Sequence, residues 1–413
     1  MRSPFLLAAA SVVALVACGQ AASQGAPGAA AAATPGQPLE TRQANTHYQP
    51  AFPGQTRAPA LPASSYRVEV VASGLDHPWA VEPMQHGRFL VTEKVGRMRI
   101  VGADGRLSPP IEGLPAVDAR GQGGLLDVAL GPDFYNDGMI YWAYSEPREG
   151  GNGTTVARGK LVEAPGPAPR VENVQIIYRV TPTYDGDKHF GSRLAFSPDG
   201  KLFITDGERS DLATRPQAQL LTSRLGKVAR INPDGTVPAD NPFVHTPGAM
   251  PEIWSYGHRN LQGAAFDAFG RLWTVEHGPR GGDELNTPEA GKNYGWGTIS
   301  YGIEYSGAPV GAGITAQAGM EQPRYYWDPV IAPSGMQFYA GDQFPAWQGN
   351  LFIGGLKDMF LVRLTIQGDR VTGEEHLLGD RHKRIRDVRE GPDGFLYVVT
   401  DEQNGELLRI RPK

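Results

Sequence analysis

The stretch Gly278-Pro279-Arg280-Gly281-Gly282-Asp283-Glu284 sets two acidic side chains in a glycine- and proline-rich turn. Carboxylate and main-chain carbonyl oxygens are the ligands a hard cation such as Ca²⁺ accepts, and Tyr294 follows closely enough to help. Taken alone, an Asp-Glu pair in such a turn equally suits a solvated surface loop. Arg259 and Asn260 stand upstream, and Gln122, His189, Glu208, Lys357, Arg384, Arg386 and Asp401 are scattered along the rest of the chain. Arginine grips a carboxylate through two parallel hydrogen bonds, and an imidazole changes charge near neutrality. These residue types therefore suit an anionic ligand next to a proton transfer. Singly they carry little weight: a lone histidine is commonly structural, and Arg384 and Arg386 lie in the basic run R-H-K-R-I-R, which reads as a solvated face. Lys357 beside Asp358 suits a turn ion pair of small worth. Their meaning depends on whether the fold gathers them.

A recurring unit supplies that gathering. An apolar strand, a turn and a second apolar strand occur at Trp79 to Thr92, Leu125 to Tyr144, Arg193 to Thr205, Ala264 to Val275, Met336 to Gly354 and Val388 to Thr400. Several turns are Pro-Asp-Gly or close to it, and most copies are followed by a further strand-like segment. Short strands at repeated intervals with few helix signals indicate an all-β chain. Six sheet-sized repeats that cannot each bury a core alone indicate a six-bladed β-propeller of four-stranded antiparallel blades, in preference to a pair of β-sandwiches. In an antiparallel hairpin, whatever precedes the first strand lies at the same end as whatever follows the second. Gln122, His189, Arg259, Asn260, Arg384 and Arg386 fall in or next to the first kind of slot. Glu208, the Gly278 to Glu284 loop, Lys357 and Asp401 fall in the second. All are thus expected on one rim, where they would form a pocket for a polyanion.

With these motifs in hand, the chain resembles the soluble quinoprotein sugar dehydrogenases of the glucose/sorbosone dehydrogenase family, most closely the aldose sugar dehydrogenase branch. The resemblance runs from about Tyr66 to the C-terminus. It rests on G-Q-G-G-L-L-D-V-A, K-H-F-G-S-R-L-A-F-S-P-D-G, G-H-R-N-L-Q-G, E-H-G-P-R-G-G-D-E-L-N, G-K-N-Y-G-W, G-G-L-K-D and R-I-R-D-V-R-E-G-P-D-G. It implies a six-bladed propeller that binds pyrroloquinoline quinone (PQQ), a planar tricarboxylate, together with Ca²⁺. It further implies His189 as general base, with Glu208 orienting it. Gln122, Arg259, Asn260, Tyr305, Lys357, Arg384 and Arg386 would hold the cofactor, and Arg259 would also stabilise charge on its oxygen. Gly278 and Pro279 would offer carbonyls to the Ca²⁺ at the quinone, and Glu284 and Tyr294 would belong to a Ca²⁺ site nearby. The implied reaction is oxidation of an aldose at its anomeric carbon to an aldonolactone, with electrons leaving for an external acceptor because the chain has no C-x-x-C-H haem motif. One departure is evident. Glucose-oxidising members place an aspartate directly before the histidine, whereas Lys188 stands here, so a preference for glucose is not implied. A Ca²⁺-dependent propeller lactonase and a non-catalytic binding propeller are the alternatives.

Composition agrees with a folded, exported protein. The chain has 413 residues, 40% hydrophobic and 20% charged, and a formal net charge of -5, which leaves no broad basic surface for nucleic acid. Gly 53 and Pro 35 favour turns over long helices. Residues 1–17 read as a signal peptide of the lipoprotein type: Arg2, an apolar stretch from Phe5 to Val16, and Leu15-Val16-Ala17-Cys18-Gly19, which resembles a lipobox. Cys18 is the only cysteine, so no internal disulfide forms and membrane attachment would run through its lipid. Residues 18–63, rich in Ala, Gly and Pro, read as a flexible tether, with the propeller domain over 64–413. The expected location is periplasmic, at a membrane surface.

Overall fold

The computed structural model describes Met1 and residues 34–413. The signal peptide, Cys18 and the first part of the expected tether lie outside the described residues. From Thr34 the chain belongs to one compact unit that runs to Lys413.

Six antiparallel sheets follow in chain order. Blade one comprises Pro78–Met84, Arg88–Glu93 and Arg97–Val101; blade two, Leu125–Leu130, Met139–Arg148, Gly151–Val162 and Arg170–Arg179. Blade three comprises Gly191–Phe196, Leu202–Asp206, Lys227–Ile231 and Ile253–Tyr256; blade four, Leu261–Phe266, Leu272–Glu276, Asp283–Asn286 and Tyr325–Trp327. Blade five comprises Pro333–Phe338, Leu351–Gly355, Leu361–Gln367 and Arg370–Leu377. Blade six takes Ile385–Glu390, Leu396–Thr400 and Gly405–Pro412 from the C-terminal end, and its outer strand, Tyr66–Leu75, from the other end of the fold. The first strand of each blade packs against the first strand of the next, and Pro78–Met84 against Ile385–Glu390 closes the ring. This is the expected six-bladed propeller.

Blade one departs from the expected four strands, having three. Its outer place is taken by Leu107 to Ile111, where Ser108 N–H donates to Ile100 O (2.8 Å) and Ile111 N–H to Met98 O (2.8 Å). Between them Pro109 and Pro110 have no N–H, so the ladder cannot run on.

The expected flexible tether also needs correction. Asn45 donates through its backbone N–H and its side-chain amide to Asp328 Oδ1 (both 2.8 Å), and Thr46 donates likewise to Asp328 Oδ2 (3.0 and 2.9 Å). Gln55 is fully buried, Ala58 N–H donates to the Tyr325 hydroxyl at 2.8 Å, and Ala60 bridges to Glu374. The segment from Thr34 to Ser65 is thus held on blades four and five by polar bonds and small buried residues. Neither leaves an apolar period for sequence reading to detect.

Apolar packing is divided among the six blade interfaces, each with its own buried cluster. Among the inner strands, by contrast, the core is ionic. The fully buried Arg193 guanidinium contacts Asp127 (2.9 Å) and Asp387 (3.1 Å), and Arg389 binds Asp387 at 3.0 Å. Asp127 Oδ2 accepts from Leu194 N–H (2.7 Å) and Asp387 Oδ2 from Val81 N–H (3.1 Å), so blades one, two, three and six are tied together. Removing one partner of such a pair strands a buried charge. Asp127→Ala is therefore expected to cost about 3–5 kcal/mol in urea unfolding. A loss below about 1 kcal/mol would show that the cluster does not hold the ring.

Candidate active site at one end of the propeller

His189 ends the loop that enters blade three. Its φ of 50° lies in the left-handed region, which a non-glycine residue holds only when its surroundings fix it. The fixing is visible. His189 N–H donates to Gln122 Oε1 (2.8 Å), Arg209 holds Lys188 O (3.0 Å) from behind, and a Cβ at Gly207 would stand 2.1 Å from His189 O. Only glycine lets these two segments approach so closely. The imidazole Nδ1 faces Glu208 Oε1 at 2.6 Å, and both side chains are buried, at 4% and 2% exposure. Burial, then Arg259, Arg209 and Lys188, hold the His189 ring well below its ordinary pKa, so it is neutral at pH 7. Burial pushes the Glu208 carboxyl up to about 7 despite Arg259. With Glu208 ionised, Nδ1–H donates to it, and the Nε2 lone pair is left free to accept a proton.

Arg259 and Asn260 enter blade four beside this pair. Arg259 Nη1 donates to His277 O (3.0 Å) and Gly278 O (2.9 Å), and its guanidinium lies 5.0 Å from the Trp296 ring centroid. Asn260 Oδ1 accepts from Gly191 N–H (3.2 Å) and from Gln262 Nε2 (3.2 Å), which ties blade four to the His189 loop. His277 donates from Nε2 to Pro333 O (2.8 Å); burial, then nearby His189 and Arg259, lower it to about 3, so it stays neutral.

Across the ring mouth a cavity of about 480 Å³ is walled by His77, Lys94, Gln122, Gln262, His277, Arg384, Arg386 and Asp401, with Trp79 also in its lining. Asp401 organises one wall by accepting from Arg386 (2.6 Å), Arg384 (3.2 Å) and His77 Nδ1 (3.1 Å). Burial would raise the Asp401 carboxyl, but Arg386 and Arg384 hold it well below the usual carboxylate range. Arg386 Nε and Arg259 Nε are buried donors with no partner among the described residues. A buried donor left unpaired is costly, so each invites an acceptor from a ligand.

The expected residues are therefore not all equivalent. His189, Glu208, Gln122, Arg259, Asn260, Arg384 and Arg386 come together at the ring mouth. Tyr305, 72% exposed, lines a neighbouring cavity of about 410 Å³ together with Glu208, Arg215, Arg259 and Trp296, and not the cavity of Arg384 and Arg386. Lys357 is exposed and donates to Val330 O at 3.3 Å; its neighbour Leu356, not Lys357, lines the larger cavity. His77, Lys94, His277 and Gln262 were not anticipated. The first two occupy, in blade one, the slots that precede a first strand and follow a second.

The Gly278 loop is built differently from a simple pair of acidic ligands. Asp283 is occupied: Oδ1 accepts from Gly278 N–H (2.7 Å), and Oδ2 from Ile331 and Ala332 N–H (2.8 and 2.7 Å). It shapes the loop and is not offered to a metal. Glu284, pushed up to about 8 by burial and then by Glu276, lines a small void with Glu276, Gly278, Pro279 and Tyr294. The Tyr294 hydroxyl donates to Thr287 O (2.6 Å), leaving its main-chain carbonyl as the atom it could offer to a metal. Among the described residues no group of three or more His, Cys, Asp or Glu is placed to hold a metal ion. A cation here would need main-chain carbonyls as well.

Comparison with known proteins agrees with this geometry. A family profile described as Glucose / Sorbosone dehydrogenase matches residues 75–409. The chain is 47% identical over 360 residues to aldose sugar dehydrogenase YliI of Escherichia coli (strain K12), covering 86% of this chain and 95% of that one. The solved apo-form of the soluble aldose sugar dehydrogenase from Escherichia coli superposes with a TM-score of 0.80 at 45% identity, covering 84% of this chain and 100% of that one. The PQQ-bound form of aldose sugar dehydrogenase from Streptomyces coelicolor gives a TM-score of 0.67 at 28% identity, over 85% and 100% of the two chains. The chain belongs to the glucose/sorbosone dehydrogenase family, as an oxidoreductase of its aldose sugar dehydrogenase branch.

Proposed function

We propose that the protein oxidises aldoses at the anomeric carbon to aldonolactones with PQQ and Ca²⁺ bound, and passes the electrons to an external acceptor. The observation that carries this reading is the His189–Glu208 pair set beside a cavity lined by Arg384 and Arg386, with the buried Nε–H groups of Arg386 and Arg259 left without an acceptor. The residues fit both groups. Arg384, Arg386 and Lys94 suit the carboxylates of a planar tricarboxylate, and the buried donors of Arg259 and Arg386 lack only an acceptor. Glu284 and the unpartnered Asn286 Oδ1 suit a hard cation completed by the Gly278, Pro279 and Tyr294 carbonyls, while Glu276, whose oxygens are held by His258, Asn286 and the Arg259 N–H, adds negative charge beside them. When bound, PQQ supplies the two-electron hydride acceptor and Ca²⁺ the Lewis acid that polarises it.

The chain's own work is then limited and definite. His189 Nε2 takes the proton of the anomeric hydroxyl as hydride departs from C1, and Glu208 carries the charge that develops on the imidazole. Gln122 and Asn260 fix the histidine loop, and Arg259 supplies positive charge at the ring mouth. Because Glu208 titrates near 7, it is ionised above that pH and protonated below it. Once protonated it donates to Nδ1, leaving Nε2 no longer the free base. The expected outcome is that kcat/KM falls as pH drops through about 7 and levels off above it. A flat profile from pH 5 to 8 would contradict the assigned pair.

Reconstitution tests the whole proposal. Protein lacking its signal, supplied with an aldose and a redox dye, should reduce the dye only when both Ca²⁺ and PQQ are present. Hydrolysis of lactones without quinone would instead identify a lactonase. The export proposal rests on Met1 to Cys18 alone, and mass spectrometry of the membrane fraction should find a mature chain beginning at a lipid-modified Cys18. A mature chain carrying unmodified Cys18 would refute the lipid anchor, and a chain that retains Met1 to Ala17 would refute export.

A further inference from the structure

We propose that the cleft between blades three and four, at the end of the propeller opposite His189, is a binding site for neutral oligosaccharides. Its position follows from the strand order. Ser197 to Asp199 and Gly270 form the turns of the inner hairpins of those blades, at the end farthest from His189 and Arg259. The cavity measures about 760 Å³, within the roughly 300–1,000 Å³ typical of small-molecule sites.

One wall is aromatic. The Phe203 ring meets Trp254 edge-on at 5.3 Å and Phe266 edge-on at 5.3 Å. Phe203 is buried in the cluster between the two blades, but Trp254 and Phe266 remain partly exposed, so the interface is left open on this side. The rim is charged and balanced. Arg230 pairs with Asp199 (3.4 Å) and Asp240 (2.9 Å), and Arg324 with Asp369 (2.6 Å). Arg271, held to Asp267 at 2.7 Å, and Glu289, 3.7 Å from Arg324, complete it. These groups are carried mainly on strand ends and tight turns, and each guanidinium and carboxylate retains hydrogen-bonding capacity beyond its partner.

This inventory selects a ligand class. Of the charged residues that line the cleft itself, Arg230, Arg271 and Arg324 balance Asp199, Glu289 and Asp369, so a polyanion or polycation gains no net attraction. A purely apolar ligand would desolvate the ion pairs without replacing their bonds to water. A saccharide offers an apolar ring face to Trp254 and Phe266, and hydroxyls to the charged edge. The role proposed for the site is binding alone, which would hold the enzyme at a source of sugar. The inference stands independently of the cofactor assignment.

Methyl β-cellobioside and methyl β-maltoside serve as probes, because neither has a free anomeric hydroxyl to oxidise. Titration calorimetry of the full chain should show saturable binding of at least one of them, with His189→Ala unchanged. Trp254→Ala and Asp369→Ala should each weaken it about tenfold or more. Should Trp254→Ala disturb the blade, as judged by its melting curve, Asp369→Ala on the exposed turn decides. No saturable binding of either glycoside by ~1 mM, binding indifferent to both substitutions, or binding abolished by His189→Ala would each overturn the proposal.

Discussion

His189→Ala is expected to lower kcat of the reconstituted enzyme by ~10²–10⁴-fold, the usual worth of a positioned general base, while PQQ still binds. The expectation follows from placement: the neutral His189 ring is backed by Glu208 through Nδ1 and has no partner at Nε2 among the described residues. His277 is neutral, but its Nε2 is spent on Pro333 O. His77 faces Asp401, already shared with Arg384 and Arg386. Glu208→Gln should cost a comparable amount, up to ~10⁴-fold, because an amide that donates to Nδ1 leaves the proton on Nε2. Single-turnover sugar oxidation measures both. A loss below tenfold in His189→Ala would move the base elsewhere.

The second large effect concerns the cofactor wall. Arg386→Ala should weaken PQQ binding by about 2–5 kcal/mol, the cost of truncating one partner of a buried charge pair. That corresponds to roughly 30- to 5,000-fold in Kd. The substitution removes a buried, unpartnered donor and also leaves Asp401 facing the ligand with only Arg384 and His77 to offset it. Lys357→Ala should do less, since Lys357 is exposed and outside the cavity lining. Absorbance titration of PQQ into the apo protein ranks the two. A Lys357 effect larger than that of Arg386 would reverse the account of which cations face the ligand.

Much of this arrangement was legible in the sequence because a propeller converts position relative to a hairpin into position on a rim. That single rule placed His189, Glu208, Gln122, Arg259 and Arg386 together although they are spread over more than half the chain. The rule was not applied to blade one, where His77 and Lys94 occupy the same two slots. Side-chain direction and commitment were not legible. Lys357 sits in a rim slot yet extends along the surface, and Asp283, an apparent metal ligand, spends its oxygens on three backbone N–H groups. The segment from Thr34 to Ser65 was misread because polar anchoring leaves no periodic signal. The expectation of four strands per blade passed over Pro109 and Pro110, where blade one loses its fourth regular strand.

The most direct measurement is a crystal structure of the protein grown with PQQ and Ca²⁺. A planar molecule in the cavity walled by Arg384, Arg386 and Gln122, in reach of His189, with a cation at the Gly278 loop, is the predicted result. The same molecule bound elsewhere, or a cavity that stays free of it at saturating concentration, would contradict the account.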